Sequence, residues 1–216
     1  MTEKKSSAAP NAAAIVVAGG KSSRLGRDKA SELLLGRPLL QHVLDRLAGV
    51  VDEIVVVRAE GQTLPELTAP VMLTVVEDVY AGAGPLAGIQ AGLAAARAPV
   101  GLVVGCDMPL LQGALLAELL CLAAGHDLVV PLNEGLPEPL CAAYARTCLP
   151  AIEAQLAVGE YKVTSFYGQV QARFLQPEEW RRLDPDGLSF LNVNDAAQLQ
   201  RVTELLDRSA LGDSRH

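Results

Sequence analysis

Short apolar runs rich in valine and isoleucine recur along this chain, and the stretches between them carry helical periodicity. The runs fall at residues 15–18, 54–57, 71–76, 100–106 and 128–132. Between the first two, Leu39, Leu40, Val43, Leu44 and Leu47 recur at helical spacing behind Pro38, a residue suited to a first helical turn. Residues 86–97 read as a small-residue helix after a Gly-rich loop, and 111–124 as a helix with an apolar face. Alternation of this kind buries a mostly parallel sheet under helices on both faces. The expected class is therefore α/β, a Rossmann-like three-layer α/β/α arrangement. Residues 139–144 are expected to run antiparallel, because too few residues precede them for a helical crossover. Helices at 147–157 and 163–167, an edge strand at 171–175 and a last helix from near Asp195 complete the pattern. There Asp195 and Gln198 make a capping-box pair, with Leu199, Val202 and Leu206 as the buried stripe. No internal repeat appears. The expected organisation is a disordered tail at 1–11, a single domain at 12–208 and a C-terminal tail at 209–216.

A formal charge of -7 over 216 residues argues against a general nucleic-acid or anionic-membrane surface. No run of 18 apolar residues suggests a membrane span, and the N-terminus has no apolar stretch of a secretory signal, so a cytoplasmic location is expected. Cys106, Cys121, Cys141 and Cys148 lack metal-type spacing and read as reduced, mostly buried thiols.

Against this acidic background, residues 14–29, AIVVAGGKSSRLGRDK, gather Lys21, Arg24, Arg27 and Lys29 directly after Gly19-Gly20. Glycines let backbone N–H groups approach an anion, and cations add charge-assisted hydrogen bonds, so the stretch suits phosphate. A plain tight turn is the alternative reading of the two glycines. The loop is not a Walker motif, since Ile15 stands where the first glycine is needed, and it is not a G-x-G-x-x-G fingerprint. In open α/β sheets, ligands bind beyond the carboxyl ends of the strands. Four loops fall at such ends: 19–29, 78–88, 107–109 and 192–194. Asp107 suits Mg²⁺ held against a triphosphate, or else a helix cap or turn. Asp78 has the plainer reading of a strand-end turn residue. Gly82, Gly84 and Gly88 serve either close helix packing or room for a base and ribose. Cys106 reads as a small buried residue rather than a nucleophile, since no histidine lies near it in sequence, and Tyr161 and Lys162 as a solvated turn rather than a substrate loop. His42, His126 and His216 form no constellation, so histidine catalysis is not expected.

The segments VAGGKSSRLGRDK (17–29), GRPLLQHV (36–43), ED (77–78), GPLAGI (84–89), CDMP (106–109), EPLCAAY (138–144) and FLNVND (190–195) together resemble the molybdenum cofactor guanylyltransferase family, the MobA-like nucleotidyltransferases. The resemblance covers nearly all of the chain. It implies the nucleotidyltransferase fold and transfer of GMP from GTP to the phosphate of molybdopterin or Mo-molybdopterin, with pyrophosphate released and Mg²⁺ as cofactor. It also implies that Val17, Ala18, Gly19 and Gly20 line the nucleotide with Asp78, Gly84, Pro85 and Gly88. Arg24 and Lys29 would contact the GTP phosphates, Asp107 would bind Mg²⁺, and Asn192 and Asn194 would hold the acceptor or the metal-bound phosphates. Arg58 stands where the family can carry an asparagine near the base. The AGG form resembles the GTP-using branch; the related cytidylyltransferases tend to show AAG. Molybdenum-insertion proteins and molybdoenzyme chaperones are the implied partners. Rival readings are a CTP-dependent molybdopterin cytidylyltransferase, a sugar-phosphate nucleotidyltransferase and a non-catalytic GTP-binding scaffold for cofactor delivery.

Overall fold

The computed structural model describes residues 11–19, 29–80 and 82–213, with the backbone alone for 209–213. In chain order the elements are β1 (Ala12–Val17), a hairpin of β2 (Leu33–Leu34) and β3 (Arg37–Pro38), α1 (Leu39–Leu47), β4 (Glu53–Arg58), β5 (Met72–Glu77), α2 (Pro85–Ala95), β6 (Val100–Gly105) and α3 (Gly113–Ala123). There follow β7 (Leu128–Asn133), β8 (Leu136–Pro137), β9 (Cys141–Ala145), α4 (Leu149–Ala157), β10 (Ala172–Leu175), α5 (Pro177–Trp180) and α6 (Ala196–Asp213).

The main sheet runs β10-β7-β9-β6-β1-β4-β5, with β8 paired to β7 off that path. All neighbours on the path are parallel except β9, which is antiparallel to both β6 and β7. β1 shows why such a sheet needs two helical layers. Ala12, Ala14 and Val16 enter the apolar cluster beneath α1 and α3, whereas Ala13, Ile15 and Val17 enter the one beneath α2 and α4. A strand buried on both faces reads as a continuous apolar run rather than an alternation. The expected three-layer α/β class and the antiparallel strand near 139–144 are both observed. No helix among the described residues is long and apolar enough to cross a membrane.

Several element limits differ from the periodicity. The extended piece at 33–36 is a hairpin, turned by Leu35 and Gly36 at φ 51° and 78°. α2 stops at Ala95, short of 97, because Arg97 donates its N–H to the buried Glu53 carboxylate at 2.9 Å. α3 starts at Gly113 rather than 111: Gln112 is extended, at φ -98° and ψ 116°, and its N–H donates to Ser189 Oγ at 2.9 Å. α5 is too short to show periodicity; its Trp180 indole donates to the Leu132 carbonyl at 2.9 Å and packs edge-on against Phe190. α6 continues past the expected boundary at 208 to Asp213.

Glycine permits the closest helix-on-sheet contact. A Cβ at Gly92 would lie 2.2 Å from Ile15 Cγ2, and Ile15 is fully buried in the central strand. Gly92→Ala is therefore expected to lower stability. Overpacking costs about 1–3 kcal/mol, and the better helix propensity of alanine offsets at most about 1 kcal/mol. A thermal midpoint at or above the wild-type value would show that Ile15 repacks at no cost.

Candidate active site

The parallel strands aim their carboxyl ends at one rim, and the chemistry-bearing residues collect there. β6 ends in Gly105, and the chain continues through Cys106 to Asp107, with the Cys106 N–H donating to the Val17 carbonyl at 3.2 Å. Gly105 is the residue that makes room for the carboxylate: a Cβ there would lie 2.6 Å from Asp107 Oδ1. The Val193 N–H donates to the Asp107 carbonyl at 2.8 Å, which draws the 190–195 segment alongside. Lys29 opens a single 3-10 turn, Lys29–Ser31. Its ammonium donates to Asp107 Oδ2 at 2.9 Å and to Asn194 Oδ1 at 2.5 Å, joining residues 78 and 165 positions away. The Lys29 and Asp107 side chains are 24% and 16% exposed, so the pair is shielded yet reachable by a ligand. Asn192 is half-buried on the same segment.

The start of α6 holds Asn194 in place. Gln198 donates its N–H to Asp195 Oδ1 at 2.8 Å, as the capping pattern requires. Its side-chain oxygen, however, accepts the N–H of Asn194 at 2.6 Å, one residue before the expected partner. The cap therefore fixes the segment that touches Lys29.

The other end of the rim gathers at the tips of β1, β4 and β5. The N–H groups of Ala18 and Gly19 both donate to the Val57 carbonyl, at 2.8 and 3.2 Å. A Cβ at Gly19 would stand 2.9 Å from Ala59 N and 3.4 Å from Asp78 Oδ2. Glycine is thus required here by close approach, and Asp78 is brought to the first loop. Partial burial raises the Asp78 carboxyl above the usual carboxylate range. Arg58 turns outward to Glu77, with Nη2 donating to Oε1 at 2.8 Å. The side chain of Val17 is buried under α2, where a Cβ at Gly88 would lie 2.9 Å from Val17 Cγ1. Gly88 thus lets α2 pack closely on Val17, the first of its two readings. Gly84, at φ 66°, precedes α2, and Pro85 occupies its first turn. Gly20, Lys21, Arg24 and Arg27 lie outside the described residues.

Other candidates stand apart from the rim. His42 Nε2 meets the Leu34 carbonyl at 2.8 Å and His126 Nδ1 the Leu122 carbonyl at 2.9 Å; His216 is outside the described residues. Tyr161 and Lys162 are exposed. The cysteines form no disulfide, and burial pushes the Cys141 thiol well above its ordinary range and that of Cys148 up to about 12. A groove of about 770 Å³ on the outer side of β4 and β5, lined in part by Arg58, Leu64, Leu73 and Glu77, includes none of Lys29, Asp107 and Asn194.

The donor set at Asp107 fits a magnesium ion of a particular kind. Among the described residues no three His, Cys, Asp or Glu side chains converge into a metal cage. The Asp107 carboxylate offers hard oxygen ligands, Oδ2 also accepting from the Lys29 ammonium, and leaves the other positions to phosphate and water. That is how Mg²⁺ is held when it arrives with a nucleotide.

Residues 14–173 match the family model of the MobA-like NTP transferase domain. The probable molybdenum cofactor guanylyltransferase of Pelotomaculum thermopropionicum is 34% identical over 201 residues, covering 93% of this chain and 96% of that protein. The molybdenum cofactor guanylyltransferase of Desulfosudis oleivorans is 34% identical over 190 residues, covering 87% and 92%. Among solved structures, molybdopterin-guanine dinucleotide biosynthesis protein A from Archaeoglobus fulgidus aligns with a TM-score of 0.75 at 25% identity, over 92% of this chain and 99% of that one. The 2-C-methyl-D-erythritol 4-phosphate cytidylyltransferase of Thermus thermophilus shares the fold, with a TM-score of 0.65 at 18% identity over 92% of this chain and 99% of that one.

Proposed function

The chain belongs to the MobA-like NTP transferase family, and from that premise we propose that it transfers GMP from GTP to the terminal phosphate of molybdopterin or Mo-molybdopterin. An oxygen of the acceptor phosphate attacks the α-phosphorus of GTP in line. The new P–O bond forms as the bond from the α-phosphorus to the bridging oxygen breaks, and pyrophosphate leaves. The attacking oxygen already belongs to a phosphate, so no strong general base is needed. Positioning and charge neutralisation carry such a reaction.

The observation that carries this reading is the Lys29 ammonium bridging Asp107 and Asn194 at one strand rim. Lys29, together with Arg24 five positions earlier in the sequence, binds and neutralises the phosphates. Asp107 would hold Mg²⁺, which when bound neutralises charge on the triphosphate and on the departing pyrophosphate. Asn192 and Asn194 hold the acceptor. Ala18, Gly19, Gly20 and Asp78 line the nucleoside end, with the main chain of Val17 and of Gly84-Pro85 behind them and Gly88 supporting by packing. The product passes to molybdoenzymes through their own chaperones.

Incubation with each of the four nucleoside triphosphates, Mg²⁺ and Mo-molybdopterin, followed by pyrophosphate release, tests the proposal. GTP should support turnover and the others should not. Release driven by CTP would make the protein a cytidylyltransferase, and GTP binding with no turnover would make it a scaffold. Release with a sugar 1-phosphate in place of the pterin would reassign the acceptor.

A further inference from the structure

The nucleoside end of the rim is held together by a side chain that no motif marks. Gln62 lies in the connection after β4, and its carboxamide spans two strand tips. Nε2 donates to the Ala18 carbonyl at 3.1 Å, and Oε1 accepts the Ala59 N–H at 3.0 Å. The Gln62 N–H closes a turn on the Ala59 carbonyl at 3.1 Å. Arg58 anchors that turn, with Nη1 donating to the Gln62 carbonyl at 2.9 Å. The Arg58–Glu77 pair is 35% and 41% exposed, so it contributes little as an ion pair. Its consequence is geometric: it fixes the turn that carries Gln62. A second carboxamide pins the far end of the same connection, where Gln41 bonds both the N–H and the carbonyl of Thr68.

Between the bridged tips stands Gly19, whose Cβ would collide with Ala59 N. The Ala18 and Gly19 N–H groups are already committed to Val57. The β1 and β4 tips are therefore joined by those two bonds and by one planar group offering a donor and an acceptor. We propose that Gln62 is the positioning residue that sets the nucleobase selectivity of this site, by holding the Ala18-Gly19 and Ala59 backbones in the close contact that forms the nucleoside end of the rim. The inference rests on the reading of the rim as a nucleoside triphosphate site. Without the bridge the two tips are free to shift, and the contacts that only the matching base makes with them are lost.

Calorimetric titration of the full chain with GTP, ITP, ATP and CTP in the presence of Mg²⁺ reads the effect directly. Gln62→Met keeps the length of the side chain without its hydrogen bonds. Gln62→Glu keeps the acceptor for Ala59 and sets a carboxylate against the Ala18 carbonyl. The best-bound nucleotide should weaken about tenfold in Gln62→Met and further in Gln62→Glu, while the poorly bound ones move less than about twofold. In turnover, KM should rise by a similar factor with kcat held at saturating nucleotide. If Gln62→Met does not fold, Arg58→Ala, which releases the turn and keeps the carboxamide, should narrow the same selectivity by a smaller factor. Equal weakening of all four nucleotides, or no change in any, overturns the inference and leaves the enzyme assignment standing. A wild-type protein that takes no nucleotide overturns both.

Discussion

Asp107→Ala is expected to abolish Mg²⁺-dependent pyrophosphate release. Asp107 is the carboxylate at the Lys29–Asn194 cluster, and Gly105 is kept free of a Cβ so that its Oδ1 can fold back over the strand end. Charge stabilisation by a metal on a transferring phosphoryl group is worth several kcal/mol, which is a loss of about 10³-fold or more in rate. The fold should survive the change, because the contact that ties the 190–195 segment to β6 uses the main-chain carbonyl of residue 107. A thermal melt close to wild type with turnover lost would therefore separate chemistry from stability. Asp107→Asn refines the test. It keeps the shape and an oxygen for Lys29 but not the charge, so it should be nearly as inactive as the alanine variant. Turnover near the wild-type rate in either variant would remove the metal role from this residue.

What could be read in the residues, and what could not, follows from the range of the interaction concerned. β1, β4 and β6 are buried on both faces, and burial leaves a local mark as an unbroken apolar run. Asp107 was visible as a carboxylate directly after such a run, and Lys29 as the last cation of a glycine-led loop. Their meeting was an expectation drawn from topology, and the 2.9 Å contact between them agrees with it. Gly105 was missed although it had a signal, a glycine directly before the carboxylate-bearing turn. Gln62 and the outward reach of Gln198 had none. A glutamine is polar and common, and its partners here were unreadable without the strand tips and the helix start in three dimensions. Gly84 and Gly88 sit in one motif for different reasons, the first for a left-handed backbone and the second for contact with Val17. Composition cannot tell those apart. The backbone flanking the helix limits at 95 and 113 is likewise bound by Glu53 and Ser189, each a distant partner.

Lys29→Ala should lower kcat/KM for GTP by about 10²–10³, the scale of one strong charge contact to the transition state. Two effects add at this position. The variant removes a cation from the phosphates, and it also leaves the Asp107 carboxylate, 16% exposed, without its ammonium partner where a polyanion must enter. Like charges at that distance oppose binding, so KM should rise as well as kcat fall. Lys29→Met separates the two contributions from packing, since it keeps the side-chain stem and removes the charge; it should resemble the alanine variant. Lys29→Arg restores the charge but replaces a compact ammonium with a planar fork, which cannot reach Asp107 Oδ2 and Asn194 Oδ1 in the same geometry, so its recovery should be partial. Stability should fall by about 1–3 kcal/mol in the alanine and methionine variants, which leave a mostly buried carboxylate without its donor, and by less in Lys29→Arg. An unchanged kcat/KM in Lys29→Ala would mean that the ammonium only ties the rim together, and that the cations of residues 21–27 hold the triphosphate without it.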